Sequence, residues 1–119
     1  MFKVVIAGGR DYQNYPLLKS KCLYYLQEKM QKDEVVIISG NAKGADLLGE
    51  RFAEEFNLNI ELHPADWDGL GRSAGYIRNE EMIKIADAVI CFWDGESKGT
   101  GHMIAITQKA KKPLRIVYY

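Results

Sequence analysis

Four glycine-bearing segments carry most of the side chains in this chain that could hold an anion. They are Gly8-Gly9-Arg10-Asp11, Ser39-Gly40-Asn41-Ala42-Lys43-Gly44-Ala45-Asp46, Gly71-Arg72-Ser73-Ala74-Gly75 and Asp94-Gly95-Glu96-Ser97-Lys98-Gly99-Thr100. Small residues let successive backbone N–H groups approach a ligand, and a helix that starts there adds its positive end. Arg10 offers a bidentate contact to a phosphate. Asp11 suits a ribose hydroxyl, or a pairing with an arginine. Gly8-Gly9 opens like a dinucleotide fingerprint, but Arg10, Asp11 and Tyr12 follow where further glycines belong. A simple tight turn is the competing reading of that pair.

The second segment, with Ser39, Gly40, Ala42, Gly44 and Asp46, is the more specific anion signal. It lacks the Gly-Lys-Ser/Thr of a P-loop, so nucleoside triphosphate hydrolysis is not expected. Asp46 falls in the first turn of the following helix, where a dipole interaction and a ligand role are equally economical. Arg72 precedes the next helix, and Arg78, Asn79 and Glu80 lie in it. Arginines near a helix start are unfavourable to the dipole unless an anion or a carboxylate answers them. His102 is suited to acid–base work near neutral pH, and a merely hydrogen-bonded histidine serves as well. His63 and His102 are too isolated for a metal site, and Cys22 and Cys91 lack metal-ligand spacing. Neither a metal nor a cofactor is expected. Trp67 is either rim packing or a platform for a base.

These segments are separated by elements that would position them. Apolar runs at Lys3–Ala7, Val35–Ser39, Ala88–Trp93 and Leu114–Val117, with an alternating run at Asn59–His63, read as strands. Helices are expected at Tyr15–Lys32, Ala45–Phe56, Ser73–Ala86 and Gly99–Lys111, with Ser73 as an N-cap. Leu18, Cys22, Leu26 and Met30 form the inward stripe of the first helix. Met82 and Ile85 are expected in the core, as are Met103, Ile106 and Ala110. Strands alternating with helices imply a parallel sheet covered on both faces. The expected fold is therefore α/β: one Rossmann-like three-layer α/β/α domain over residues 1–119, with five parallel strands in the order 3-2-1-4-5. Every glycine loop then lies at the carboxyl edge of the sheet, and the switch point falls between the first and fourth strands. The long connection from His63 to Arg72 is a candidate lid or rim.

Composition narrows the function. Lys+Arg and Asp+Glu number 16 each, giving a formal net charge of zero, and this argues against a broad nucleic-acid surface. No apolar stretch approaches a membrane span. With no leader read at the first strand and with thiols expected to be reduced, the location implied is cytoplasmic.

Taken together the motifs resemble one family. Gly8-Gly9-Arg10-Asp11-Tyr12, the Ser39 to Asp46 segment, Pro64-Ala65-Asp66-Trp67, Gly71-Arg72 with Ala74-Gly75, Arg78-Asn79 with Met82, Ala86-Asp87-Ala88, and Ser97 with Gly99-Thr100 and Met103-Ile104 are similar to the YspA/YpsA-related branch of the SLOG superfamily. The likeness covers essentially the whole chain. It implies a Rossmann-like domain that binds nucleotides or nucleotide-derived ligands, related to LOG phosphoribohydrolases and to DNA-processing protein A. LOG enzymes cleave an N-glycosidic bond with an arginine and a glutamate. Arg78 matches that arginine, whereas His102-Met103 stand where the glutamates belong. A hydrolase would need Glu80 or Asp94 as a substitute carboxylate, or His102 as the acid.

Three functions follow from the resemblance. The first is binding or sensing of a nucleotide-derived small molecule by Gly8, Gly9, Arg10, Asp11, Ser39, Gly40, Ala42, Gly44, Asp46, Arg72, Asn79, Gly95, Ser97, Gly99 and Thr100. The second is phosphoribohydrolase-like cleavage of nucleoside monophosphates with Arg78, Glu80, Asp94 and His102 as catalytic candidates. The third is single-stranded nucleic-acid binding, which the neutral charge disfavours. The expected partners are the small ligand and, in a homo-oligomer, a second copy of the chain.

Overall fold

The computed structural model describes residues 1–119, the Arg72 side chain excepted. Five strands, β1 (Phe2–Gly8), β2 (Val35–Ser39), β3 (Asn59–Leu62), β4 (Ala88–Trp93) and β5 (Leu114–Tyr118), form one sheet in the order β3-β2-β1-β4-β5. All four pairings are parallel. The connections are α1 (Tyr15–Lys32), α2 (Ala45–Glu55), α3 (Trp67–Leu70), α4 (Ala74–Ile85) and α5 (Lys98–Lys109). A 3-10 turn at Gly71–Ser73 joins α3 to α4.

The two faces of the sheet are built from alternate residues of the same strands. Val4 and Ile6 of β1 join Ile37, Ile90 and Phe92 in a cluster covered by Leu18, Cys22 and Leu26 of α1 and Phe52 of α2. Val5 and Ala7 join Ile38, Val89 and Cys91 under Met82 and Ile83 of α4 and Met103 and Ile104 of α5. Continuous apolar strands are required because both faces are covered. Each buried Val, Ile or Leu side chain contributes about 1.5–3 kcal/mol to this arrangement.

Local chemistry sets the helix ends. Asn14 Oδ1 accepts the Leu17 N–H at 3.1 Å, and Pro16 sits in the first turn of α1. Gly44 precedes α2 with φ at +87°, and a Cβ there would collide with the Gly9 carbonyl oxygen. Only glycine tolerates both conditions. Ser73 occupies the N-cap position of α4, but its hydroxyl bonds back to the Leu70 carbonyl at 3.1 Å and does not cap.

Two core expectations need correction. Ile85 is 36% exposed, and Ile83 points inward in its place. Ala110 is exposed at the end of α5, where Met103, Ile104 and Thr107 are buried. Thr107 tolerates burial because its hydroxyl donates to the Met103 carbonyl at 2.6 Å. The His63 to Arg72 connection contains a turn of helix, α3, capped by Asp66, whose carboxylate accepts the Gly69 N–H at 2.9 Å.

Candidate functional site

A parallel sheet delivers every strand's carboxyl end to one edge, and three loops are fastened together there. The Gly9 N–H donates to the Phe92 carbonyl at 3.1 Å, tying the β1 loop to β4. The Ala45 N–H donates to the Gly9 carbonyl at 3.1 Å, tying α2 to the same loop. These contacts need bare backbone: a Cβ at Gly8 would collide with the Phe92 carbonyl, and one at Gly9 with the Tyr119 hydroxyl.

The loops enclose a cleft of about 430 Å³ at the β1/β4 switch point. Gly8, Gly9, Arg10 and Asp11 line it from β1, and Ala42 and Asp46 from the β2 side. Arg78 and Asn79 enter from α4, and Asp94, Ser97, Gly99 and Thr100 from the start of α5. Clefts of this volume fall in the range that takes small ligands.

The remaining sequence candidates lie behind or beside this lining. Ser39 is buried; its hydroxyl donates to Glu50 at 2.7 Å and accepts the Asn41 N–H at 3.0 Å. Gly40 lends its carbonyl to Arg78 Nη1 at 2.6 Å. A Cβ at Gly40 would collide with that guanidinium and lie 2.8 Å from an Asp46 carboxylate oxygen, so both side chains border this glycine. Gly44 packs against the Gly9–Arg10 backbone. Gly95 turns the β4–α5 loop with φ at +87°. Glu80 is exposed on α4, away from the lining. The Arg72 side chain lies outside the described residues.

Polar partners fix the charged groups. Arg78 Nε donates to Asn79 Oδ1 at 3.1 Å, and the Asn79 amide nitrogen reaches the Gly99 carbonyl and His102 Nδ1, both at 3.3 Å. The His102 ring also pairs with Tyr76, centroids 4.3 Å apart. His102 thus packs behind Asn79 and is not part of the lining. The Asp94 carboxylate accepts the N–H groups of Glu96 and Ser97 at 2.9 and 2.8 Å, which hold its pKa below the ordinary value. It shapes the loop that starts α5. Among the described side chains none caps the first turn of α5, so the positive end of a 12-residue helix faces the cleft.

Asp46 is 5% exposed, and burial raises its carboxyl from 3.8 to about 6. The Ala42 N–H, donating at 3.2 Å, and the Arg78 charge oppose this shift without cancelling it. Arg78 shows the reciprocal effect: burial lowers its pKa, Asp46 supports its charge, and Arg10 opposes it. Two like-charged guanidinium groups therefore feel each other across the cleft. Asp11 accepts the Tyr119 hydroxyl at 2.6 Å.

Several lining residues are absent from the sequence-derived candidates. Tyr76, Met82 and Met103 belong to the cleft, beside Gly75 of the third glycine segment and Trp67, the residue read from sequence as rim packing or a base platform, whose ring lies 5.6 Å from the Arg10 guanidinium. A helical stripe reading places Met82 and Met103 in the core, and they are buried; they form the cleft wall because the core ends there. Tyr76 gives no signal in sequence beyond being an aromatic residue two positions before Arg78.

Residues 2–69 match the profile of the YspA, cpYpsA-related SLOG family. The gene 61 protein of Mycobacterium phage D29 is 42% identical over 122 aligned positions, covering 96% of this chain and 94% of that protein. DNA processing protein A from Streptococcus pneumoniae is similar in structure, with a TM-score of 0.73 at 14% identity; 98% of this chain matches 50% of that one. The chain therefore spans half of that protein. The structure of TM1055 matches with a TM-score of 0.70 at 19% identity, over 96% of this chain and 72% of the other. DNA processing protein A from Helicobacter pylori, described for its single-stranded DNA binding mode, matches with a TM-score of 0.65 at 23% identity, over 97% and 64%. The strand order, the glycine loops at one sheet edge and these matches agree, and the chain belongs to the YspA, cpYpsA-related SLOG family.

Proposed function

We propose that the cleft binds a nucleotide or nucleotide-derived small molecule by its phosphate. One observation carries this reading: Arg10, Arg78 and the uncapped first turn of α5 converge on the same cleft, in a chain with no net charge. Like charges that share a cleft repel, and an anion between them turns that repulsion into attraction. Gly99 and Thr100 supply backbone N–H groups to the same anion. Asp11, held by Tyr119, is suited to accept a ribose hydroxyl. Isothermal titration with nucleoside mono- and diphosphates, with ribose 5-phosphate and inorganic phosphate beside them, tests the reading. Binding that weakens with salt and is lost in Arg10→Ala/Arg78→Ala supports it. No heat with any of these anions removes it. A single-stranded oligonucleotide in the same series, with affinity falling steeply with salt, would favour a nucleic-acid interface of the kind named for the Helicobacter pylori protein.

A second reading, N-glycosidic hydrolysis, is favoured by Asp46. Of the carboxyl groups in the cleft, it is the one poised by burial to exchange a proton near neutral pH. Glu80 is exposed and away from the cleft, and Asp94 is committed to its loop. Arg78 would hold the phosphate and Asp46 would protonate the departing base or balance charge on the ribosyl centre. Chromatographic detection of free base from nucleoside monophosphates, lost in Asp46→Asn, tests it. Release that persists in Asp46→Asn at the wild-type rate excludes this role.

A further inference from the structure

The cleft has a second character at its α3–α4 wall. Trp67 is 50% exposed and Tyr76 is 44% exposed, and both line the cleft. Neither acts as a core plug. The short helix α3 buries none of its side chains, so Trp67 does not seal the fold from that element. Its ring is seated on Gly75, where an added Cβ would lie 3.3 Å from the indole Cη2. Tyr76 is steadied by the His102 ring, which Asn79 holds in turn. Two supported, half-exposed aromatic rings thus line one wall of the cleft.

The carboxamide and the carboxyl groups that line the cleft are already engaged. Asn79 uses its oxygen on Arg78 and its nitrogen on Gly99 and His102. Asp11 takes the Tyr119 hydroxyl, and Asp94 takes two backbone N–H groups. Asp46 is buried and takes the Ala42 N–H. No carboxamide among the described lining residues remains to pair with the edge of a base in the bidentate manner. The Trp67 ring has the Arg10 guanidinium over it at 5.6 Å, and a base stacked there would take the place of that flat group as Arg10 turns to the phosphate.

We infer that Trp67 and Tyr76 form a base compartment that recognises a nucleotide by stacking, so that the ligand class is nucleotides of either base type, with purines bound more tightly. The inference rests on the phosphate reading of the same cleft. Stacking tolerates every base because every base has a π-face, and it grows with ring area.

Titration of the full chain with AMP, GMP, CMP, UMP, ribose 5-phosphate and inorganic phosphate, repeated for Trp67→Ala, Trp67→Phe and Tyr76→Ala, tests this. The four monophosphates should fall within about tenfold of one another, purines tightest, and all should exceed ribose 5-phosphate. Trp67→Ala should weaken the monophosphates by about five- to hundredfold, toward the ribose 5-phosphate value. Trp67→Phe should keep most of the affinity. Melting curves confirm that each variant folds, as an exposed tryptophan permits. Monophosphates that bind no better than ribose 5-phosphate, or are unaffected by both alanine variants, overturn the compartment while leaving the phosphate site standing. One base preferred by more than about a hundredfold overturns recognition by stacking alone. Absence of binding by all six probes overturns both readings together.

Discussion

Asp46→Asn offers a test whose sign depends on pH. Burial holds the Asp46 carboxyl at about 6 in the folded chain against 3.8 for an ordinary aspartate. Below 3.8 the group is protonated in both states and contributes no difference. As the pH rises toward 6, the unfolded chain gives up its proton before the folded one does. The folded state then binds more protons, and stability falls with rising pH until the folded group also ionises. Above that window the folded chain carries a buried charge whose cost, from the two pKa values, is about 3 kcal/mol. Asparagine keeps the shape and an oxygen to accept the Ala42 N–H, but it has no charge to desolvate. The Ala42 hydrogen bond and the Arg78 charge are already contained in the net shift, so Asp46→Asn is expected to be more stable than wild type by about 3 kcal/mol at pH 8, equal to a rise in Tm of about 9–15 °C for a domain of this size. The advantage should shrink through pH 6 and vanish near pH 4.

Melting curves of both proteins from pH 4 to 8 decide the matter. A variant that is less stable than wild type at pH 8, by a margin that shrinks on acidification, would refute the reasoning. It would mean that the Arg78 charge outweighs desolvation and that Asp46 is ionised as a counter-ion. The same comparison bears on function. An anion placed between Arg10 and Arg78 repels the Asp46 carboxylate, so binding at pH 6–7 should draw in protons, measurable as heat that depends on the buffer's ionisation enthalpy.

Two further outcomes are expected. Arg78→Ala should weaken phosphate-bearing ligands by about ten- to hundredfold in titration, from loss of a charge-assisted contact of about 1.5–3 kcal/mol; it should also lower the apo Tm, because its donors to Gly40 and Asn79 are lost, and an unchanged affinity would leave it a structural residue. Gly44→Ala should destabilise by about 2–4 kcal/mol in urea unfolding, since φ of +87° and the Gly9 carbonyl leave no room for a methyl; a loss under 1 kcal/mol would show that the loop shifts freely.

The sheet was legible because parallel strands buried on both faces must be continuous apolar runs, and Val35–Ser39 and Ala88–Trp93 are such runs. The short helix α3 was not. Its single turn rests on the Asp66 cap, and no apolar period runs through Trp67-Asp68-Gly69-Leu70. Ile85 was misplaced for a related reason: near a helix end, one residue in register decides which side chain faces the sheet, and the chain turns at Ala86 with Ile83 already inward.

At the site, residue type disclosed the pieces and topology disclosed their company. Arg78 illustrates the division. Its place near a helix start implied an anionic partner, and the fold gives it neutral ones: the Gly40 carbonyl and the Asn79 amide oxygen. Neutral acceptors orient a guanidinium without cancelling its charge, and the nearby carboxyl that could do so is pushed by burial toward its neutral form. The pairing of Asp11 with Tyr119 spans 108 residues, and that of Arg10 with Trp67 joins two separate loops, so neither has a local signature. Each pairing nonetheless acts in the same direction. Tyr119 and the loop N–H groups occupy the carboxylates at Asp11 and Asp94, burial restrains the one at Asp46, and the guanidinium groups of Arg10 and Arg78 are held by a ring and by neutral oxygens. Among the described side chains neither guanidinium is hydrogen-bonded to a carboxylate, so both charges stay available to an anion in the cleft, which neither the count of charges nor the net charge of the chain discloses.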